Sequence, residues 1–379
     1  MMDDEEKTIM GNNPPQTNVW LDDAETIPGG NSSQETTEVS DMFAPGEVLC
    51  GRYEVLSQLG KGGMGIVYEC FDRTADKKIA LKTIAPELAS SSYEMEQTKE
   101  NFKLVSDLHH PYIANYNDLE KDPLRNAYYL IMEYVNGEDV RIYLKRMASQ
   151  GADRDALILK LLRQAAEALD YAHDKRIVHK DIKPANLMVD QDGNLKLLDF
   201  GLAAKIHSTL SRAKDSSFSD EDENFSGTLA YMSPEQLAGK WEKPTMDQYS
   251  LAAAAYEMFS GHPPFNAPTA ASMKDAVRNE IPEPLENVSP VIAQVIAKAL
   301  SKNPEDRFEN CTAFVEALSG EVEISVKESE PEKLTEDELF QCYTLIGNIE
   351  PVLDGVLPAD ESLRKDFLAL KKIFENFKN

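Results

Sequence analysis

Asp181, Lys183 and Asn186 fall within six positions of one another in HKDIKPAN, and a second acid, Asp199, follows in LDFG thirteen residues after Asn186. A carboxylate can orient a hydroxyl and accept its proton. A lysine can oppose phosphate charge, and the oxygens of an amide and a second carboxylate are hard ligands that suit Mg²⁺. Phosphoryl transfer asks for this set, because the reaction depends on positioning and charge more than on covalent chemistry. Asp181 would be the base, Lys183 the cation on the transferring phosphate, and Asn186 with Asp199 the Mg²⁺ ligands. A polar turn in an unrelated domain could hold any one of these residues, but four at this spacing are poorly explained by chance.

Upstream, Gly60, Gly62 and Gly65 in LGKGGMGIVY lie between two predicted strands, so they belong to a hairpin and not to the start of a helix. That context speaks against a dinucleotide fold. Glycines lacking a β-carbon let backbone N–H groups approach phosphate oxygens, and Val67 would then cover the base. Lys82, fifteen residues after Val67, lies on the following predicted strand, where it could reach the α and β phosphates. A ligand-free glycine hairpin and a surface lysine explain each feature equally well when taken alone.

The elements that must carry these residues follow from periodicity. Segments 52–60, 64–72, 77–84 and 127–135 have strand patterns, and residues 93–108 place Phe102, Val105 and Leu108 at helical spacing before Pro111. DGN at 192–194 marks a turn between two short strands. After the strand at 127–135 the pattern is mainly helical to about residue 318. The expected class is α+β: a small antiparallel-sheet lobe over 51–135 and a larger helical lobe over 136–318. Residues 1–50 carry eleven acidic side chains against one basic, which predicts a disordered acidic arm. An acidic linker is expected over 319–334. TEDE at 335–338 would cap the first helix of a helical extension over 335–379, which either packs on the large lobe or offers a dimer surface.

A net charge of −27 excludes nucleic acid and anionic lipid as natural partners. Cys50, Cys70, Cys311 and Cys342 have no metal-ligand spacing and read as reduced thiols. No apolar run approaches the roughly 18 residues a membrane span needs, so a cytoplasmic, membrane-free protein is expected.

GKGGMG, IALK, HKDIKPAN and DFG are followed by GTLAYMSPEQ, MDQYSL, GHPPF and NPEDRF. With these motifs in this order over about residues 50–318, the chain resembles the eukaryotic-like protein kinase family, and more specifically its bacterial serine/threonine members. The resemblance implies a bilobal fold, ATP and Mg²⁺ as cofactors, and protein serine or threonine side chains as acceptors. The nucleotide positions it implies include Leu59, Val67, Ala80 and Met188, backbone groups of Glu133 and Val135 at adenine beside Met132, and Asp139 near the ribose. It implies a buried Glu235–Arg307 pair, an anchoring acid at Asp247, and a stack of Val105, Tyr116, His179 and Phe200. Lys183 and Thr228 match the serine/threonine arrangement. In their acidic surroundings on an arm expected to be mobile, Thr8, Thr17, Thr26, Thr36 and Thr37 suit autophosphorylation and capture by a phosphothreonine-binding module; threonines without a role are as good a reading.

Two positions depart from the family pattern. Asn101 stands where a helix glutamate should pair with Lys82, with Glu100 adjacent and one helical adjustment away. Lys180 replaces the arginine that grips a loop phosphate, and Asp220 to Glu223, beside Ser216, Ser217 and Ser219, could stand in for that phosphate. Asn101 keeps open an alternative, a pseudokinase or nucleotide-binding scaffold of low activity. Asn101→Glu is expected to leave kcat/KM for phosphotransfer unchanged or to raise it; a clear fall would give Asn101 a role of its own.

Overall fold

The computed structural model describes residues 43–62, 65–84, 91–200, 228–240 and 243–320. The chain divides into two units, Met1–Glu323 and Ile324–Asn379. The second unit, with its expected helices, lies outside the described residues, as do the arm to residue 42 and the acidic run at 220–223.

Within the first unit, six strands form one antiparallel sheet: β1 (Val48–Leu49), β2 (Tyr53–Gly62), β3 (Gly65–Asp72), β4 (Lys77–Thr83), β5 (Tyr116–Asp122) and β6 (Ala127–Glu133), in the order β1-β2-β3-β4-β6-β5. In β3 the alternation is strict, sending Ile66, Tyr68, Cys70 and Asp72 inward. Tyr68 and Cys70 join Leu49, Val55, Ile79, Leu81 and Ile131 in the lobe's core. The inward acid is held by the Arg52 fork at 2.7 and 2.8 Å, which keeps the Asp72 carboxyl down at about 2. This sheet starts before the expected boundary at residue 51. Val48 and Leu49 form its first strand, Leu49 is fully buried, and the Phe43 ring lies 5.3 Å from that of Tyr68, so residues 43–50 pack with the sheet and not with the acidic arm. Strand β5 gives no sequence signal, because YNDLEKD at the sheet edge buries only its first and last side chains.

Helix α1 (Ser92–Ser106) turns Met95, Thr98 and Val105 inward and leaves Tyr93 and Leu104 exposed. Leu108, expected at the end of this helix, is buried just beyond it. The helical lobe follows with α2 (Val140–Ser149), α3 (Arg154–Asp174), α4 (Pro234–Leu237), α5 (Pro244–Ser260), α6 (Ala270–Asn279), α7 (Pro290–Ala299) and α8 (Cys311–Leu318). Side-chain caps start most of them: Asp153 on α3, Ser233 on α4, Thr269 on α6, Ser289 on α7 and Asn310 on α8. Helix α5 is buried continuously from Met246 to Phe259, its four consecutive alanines letting neighbours close in on every side, and it stops at Gly261 in the left-handed conformation. A second sheet, β7 (Gly137–Asp139), β8 (Leu187–Asp190) and β9 (Leu195–Leu197), lies at the lobe's edge, with the predicted DGN turn between its last two strands. Gly137 is obligatory there, since a β-carbon would meet the Val189 carbonyl at 2.2 Å. Among the described residues no helix is long and apolar enough to cross a membrane, and Cys50, Cys70 and Cys311 are free thiols.

Two buried acids tie this lobe together. Glu235, just inside α4, takes the Arg307 guanidinium in a two-pronged pair at 2.6 and 2.9 Å; that cation also donates to the Thr245 carbonyl and lies over the Tyr249 ring. Asp247 on α5 accepts the backbone N–H groups of His179 and Lys180, at 2.7 and 2.8 Å, and approaches His173 Nε2 at 2.8 Å. Burial opposes protonation of His173, but its hydrogen bonds to Asp170 and Asp247 outweigh it and push the imidazole up to about 9. Asp170 also receives the first two amides of α8. Cys311 completes a close group with Asp170 and His173, whose polar atoms are accounted for by capping and ion pairing.

Arg307→Ala strands the buried Glu235 carboxylate and is expected to lower the urea unfolding free energy by about 3 to 5 kcal/mol. His173 adds a pH dependence. Its folded pKa lies above the ordinary 6.5, so its ion pairs stabilise the fold fully below that pH and are lost as pH rises through about 9. Unfolding free energy should fall across this window in the parent and less steeply in His173→Gln; equal slopes would assign the dependence to another group.

Candidate active site

Residues 179–186 connect α3 to β8, and three contacts fix their shape. Asp247 holds the amides of His179 and Lys180, with Lys180 in the left-handed region at φ 73°. His179 is fully buried and its Nε2 hydrogen-bonds the Leu198 carbonyl at 2.7 Å, which ties the loop to the segment after β9. Gln236 donates to the Lys180 carbonyl at 2.8 Å and joins the loop to α4. Asp181 and Asn186 are then brought together by a short 3₁₀ turn at Pro184–Asn186. Asn186 Nδ2 donates to the Asp181 carbonyl at 2.7 Å and to its Oδ2 at 2.9 Å. Since Nδ2 is engaged, Oδ1 is the atom that Asn186 has for a cation. Lys183 Nζ lies 3.7 Å from Asp181 Oδ2 and donates to Thr228 Oγ1 at 3.2 Å.

On the other side of the site, Asp199 follows β9 with φ 59°, a left-handed backbone that a non-glycine residue adopts only where its surroundings impose it. Its Oδ2 is 2.6 Å from Lys82 Nζ. Among the described residues this is the ion pair that Lys82 makes. Neither of the two expected positions on α1 supplies one: Asn101 is half-buried, and Glu100 is exposed with Gln97 donating to it at 3.1 Å. The one-residue adjustment that would carry Glu100 to Lys82 is therefore absent. Phe200 is fully buried, with its ring 4.4 Å from that of His179 and its N–H donated to the Tyr116 hydroxyl at 2.8 Å; Val105 is buried as well.

The glycine-rich hairpin is formed as the sequence suggests. Gly60 stands opposite Val67, Gly62 opposite Gly65, and Val67 opposite Lys82, so the hairpin and the lysine share one stretch of sheet. Gly65 has φ 134°, and a β-carbon there would meet the Thr83 carbonyl at 2.2 Å; Thr83 Oγ1 also accepts the Ile66 N–H. Leu59 and Ala80 are buried and Val67 is half-buried. Met132 pairs with Ala80, while Val135 and Met188 share an apolar cluster with Ala114 and Leu198. The Glu133 carboxylate does not face the cleft as a free acid. It accepts from the amide and side chain of Asn115, both at 3.0 Å, and pairs with Lys196 at 2.8 Å, bracing the strand that joins the lobes. Asn115, Lys196 and Thr83 carry no sequence signal, because each acts through a partner distant along the chain.

Asp139 is arranged differently from the ribose neighbour expected. Its carboxylate caps α2 through the Arg141 N–H at 2.7 Å and holds the Arg141 guanidinium at 2.9 and 3.1 Å, which leaves it 5% exposed. A ribose contact requires Arg141 to yield. Arg141 in turn lies 3.8 Å from Glu257, which accepts from the Tyr231 hydroxyl.

The donor set suits a hard divalent cation, since Asn186 Oδ1 and the Asp199 carboxylate are hard oxygen donors and Lys82 lies beside the latter. A family model described as protein kinase domain matches residues 53–318. The serine/threonine-protein kinase PknA of Mycobacterium tuberculosis is 32% identical over 278 residues, which cover 72% of this chain and 62% of that protein. For PrkC of Bacillus subtilis the identity is 30% over 297 residues, covering 75% of this chain and 44% of the relative. The chain thus spans less than two thirds of the length of these relatives. The crystal structure of the Mycobacterium tuberculosis PknI kinase domain superposes with a TM-score of 0.55 at 26% identity, covering 74% of this chain and all of that domain. The family model covers more than half of the chain and the architecture is that of the PknI kinase domain, so the chain belongs to the protein kinase domain family.

Proposed function

We propose that this protein is an ATP-dependent serine/threonine kinase that moves the γ-phosphate of ATP to hydroxyl groups of proteins. The observation that carries the reading is the joint presence of the Asp181–Asn186–Lys183–Thr228 cluster and the Lys82–Asp199 pair, linked through His179 and the Leu198 carbonyl. Asp181 orients the acceptor hydroxyl and takes its proton, while Lys183 opposes charge on the transferring phosphoryl group. Lys82 holds the α and β phosphates, and the glycines at 60, 62 and 65 let the hairpin backbone close over them. Leu59, Val67, Ala80 and Met188 enclose the base, and backbone groups of Glu133 and Val135 read its edge. Asn186 and Asp199 would hold Mg²⁺, which when bound neutralises phosphate charge and fixes its geometry.

The acceptors are protein serine or threonine residues, with Lys183 beside Thr228 as the feature that favours them. Threonines of the acidic arm are the proposed autophosphorylation sites and the proposed docking point for a phosphothreonine-binding module. The helices expected after residue 335 are a proposed dimer surface, in a protein whose proposed location is the cytoplasm.

Incubating the full chain with Mg²⁺ and ATP should give phosphotransfer to itself or to a generic basic substrate, and Asp181→Asn should lower kcat at least about 100-fold. Mass spectrometry of the same reaction should find phosphate on one or more of Thr8, Thr17, Thr26, Thr36 and Thr37, and an unmodified arm would remove that part. Tight nucleotide binding without transfer in the parent would favour the scaffold instead.

A further inference from the structure

Tyr116 opens β5 at a bulge. It pairs with Met132, yet Asp118 already pairs with Ile131, so Asn117 is the extra residue. The bulge turns the tyrosine ring into the protein while Asn117 and Asp118 stay exposed. Helix α1 packs on this strand and the ring is buried, yet the side chain ends in a hydroxyl. That hydroxyl accepts the Phe200 N–H at 2.8 Å. Burial drives the phenol far above its ordinary range, so it stays a neutral hydroxyl at any working pH.

What this contact does follows from its neighbours. Phe200 is held on one side by His179, ring to ring at 4.4 Å, and on the other by its amide on Tyr116. Asp199, one residue earlier, is in the left-handed conformation with its carboxylate on Lys82. Fixing the peptide between residues 199 and 200 therefore fixes the backbone from which that carboxylate projects, while Lys82 holds its tip. A stack of apolar side chains resists separation but leaves rotation of the peptide free, whereas a hydrogen bond to its N–H sets the angle. The need for such a bond is greater here because, among the described residues, α1 gives Lys82 no ion pair and Asn101 stands where a glutamate was expected.

We propose that the Tyr116 hydroxyl is a positioning group for the divalent-cation site: by accepting the Phe200 amide it keeps the Asp199 carboxylate turned toward Lys82 and the cation. The proposal rests on the kinase reading of the site. Phenylalanine at the same place would fill the same volume and leave that amide unsatisfied.

The test is calorimetric binding of ADP to the full chain and to Tyr116→Phe, each with and without Mg²⁺, alongside thermal melting. Turnover is not required, so the result does not depend on whether phosphotransfer is observed. Expected is an affinity about tenfold weaker in the variant with Mg²⁺ present, the scale of one buried hydrogen bond, and an unchanged affinity without it. Equal loss in both conditions, or a lower melting temperature with neither affinity changed, would make the hydroxyl a structural group only and overturn the proposal. Tighter Mg²⁺-dependent binding in the variant would also overturn it, since the hydroxyl would then hold Asp199 away from its cation-binding position. If ADP binds as expected but the parent transfers no phosphate, the kinase reading fails and the positioning role stands.

Discussion

A carboxylate with no exposure to water, Asp247, is the point on which the loop of residues 179–186 rests. It accepts two consecutive loop amides and faces His173, so one side chain on α5 sets the path of residues 179–181. Its anionic form survives burial because each oxygen has a donor: hydrogen bonding from His173, the charge of that imidazole and the loop amides together hold the acid below its ordinary range. Helix α5 can carry such a group because it is buried all round and cannot shift without disturbing every neighbour. The left-handed turn at Lys180 depends on this anchor, and it sends Asp181 toward Asn186.

From that anchor, order passes to the other side of the site through backbone groups more than side-chain charge. His179 reaches the Leu198 carbonyl and the Phe200 ring, and Phe200 reaches Tyr116 in the sheet lobe. The Lys82–Asp199 pair closes the circuit from the sheet side. A helix glutamate would have added another tie between α1 and Lys82. With Asn101 in that place, α1 contributes packing through Met95 and Val105 but no charge from that position, and the lysine is paired with the acid it faces across the cleft. The alteration weakens a support and leaves the reacting groups in place.

Several side chains that look available in the sequence are engaged in the structure. Glu133 braces Asn115 and Lys196, Asp139 caps α2 and holds Arg141, and Glu100 stays on the surface beside Gln97. Buried or partly buried polar groups find partners because an unpaired one costs more than a paired one returns. Such groups therefore act as structure before they act as chemistry.

The sequence by itself determined the residues of the centre and most of the elements that carry them. HKDIKPAN, DFG, the glycine hairpin and the lysine strand are local patterns in which short-range spacing and periodicity carry the information. The strict alternation of β3, the caps on α3 and α8 and the alanine run of α5 belong to the same class. Tertiary structure alone decided the partners. The pairing of Lys82 with Asp199 spans 117 positions, and that of Glu235 with Arg307, 72 positions apart, could be expected beforehand only from the family resemblance. Asp170 was joined to α8, and the Tyr116 hydroxyl to the Phe200 amide, only when distant elements packed. Strand β5 and the start of the sheet at residues 43–50 also emerged only there, since an edge strand with exposed side chains leaves no apolar period to read. Local pattern records which face of an element is apolar; the fold decides which polar groups are left facing one another once those faces are buried.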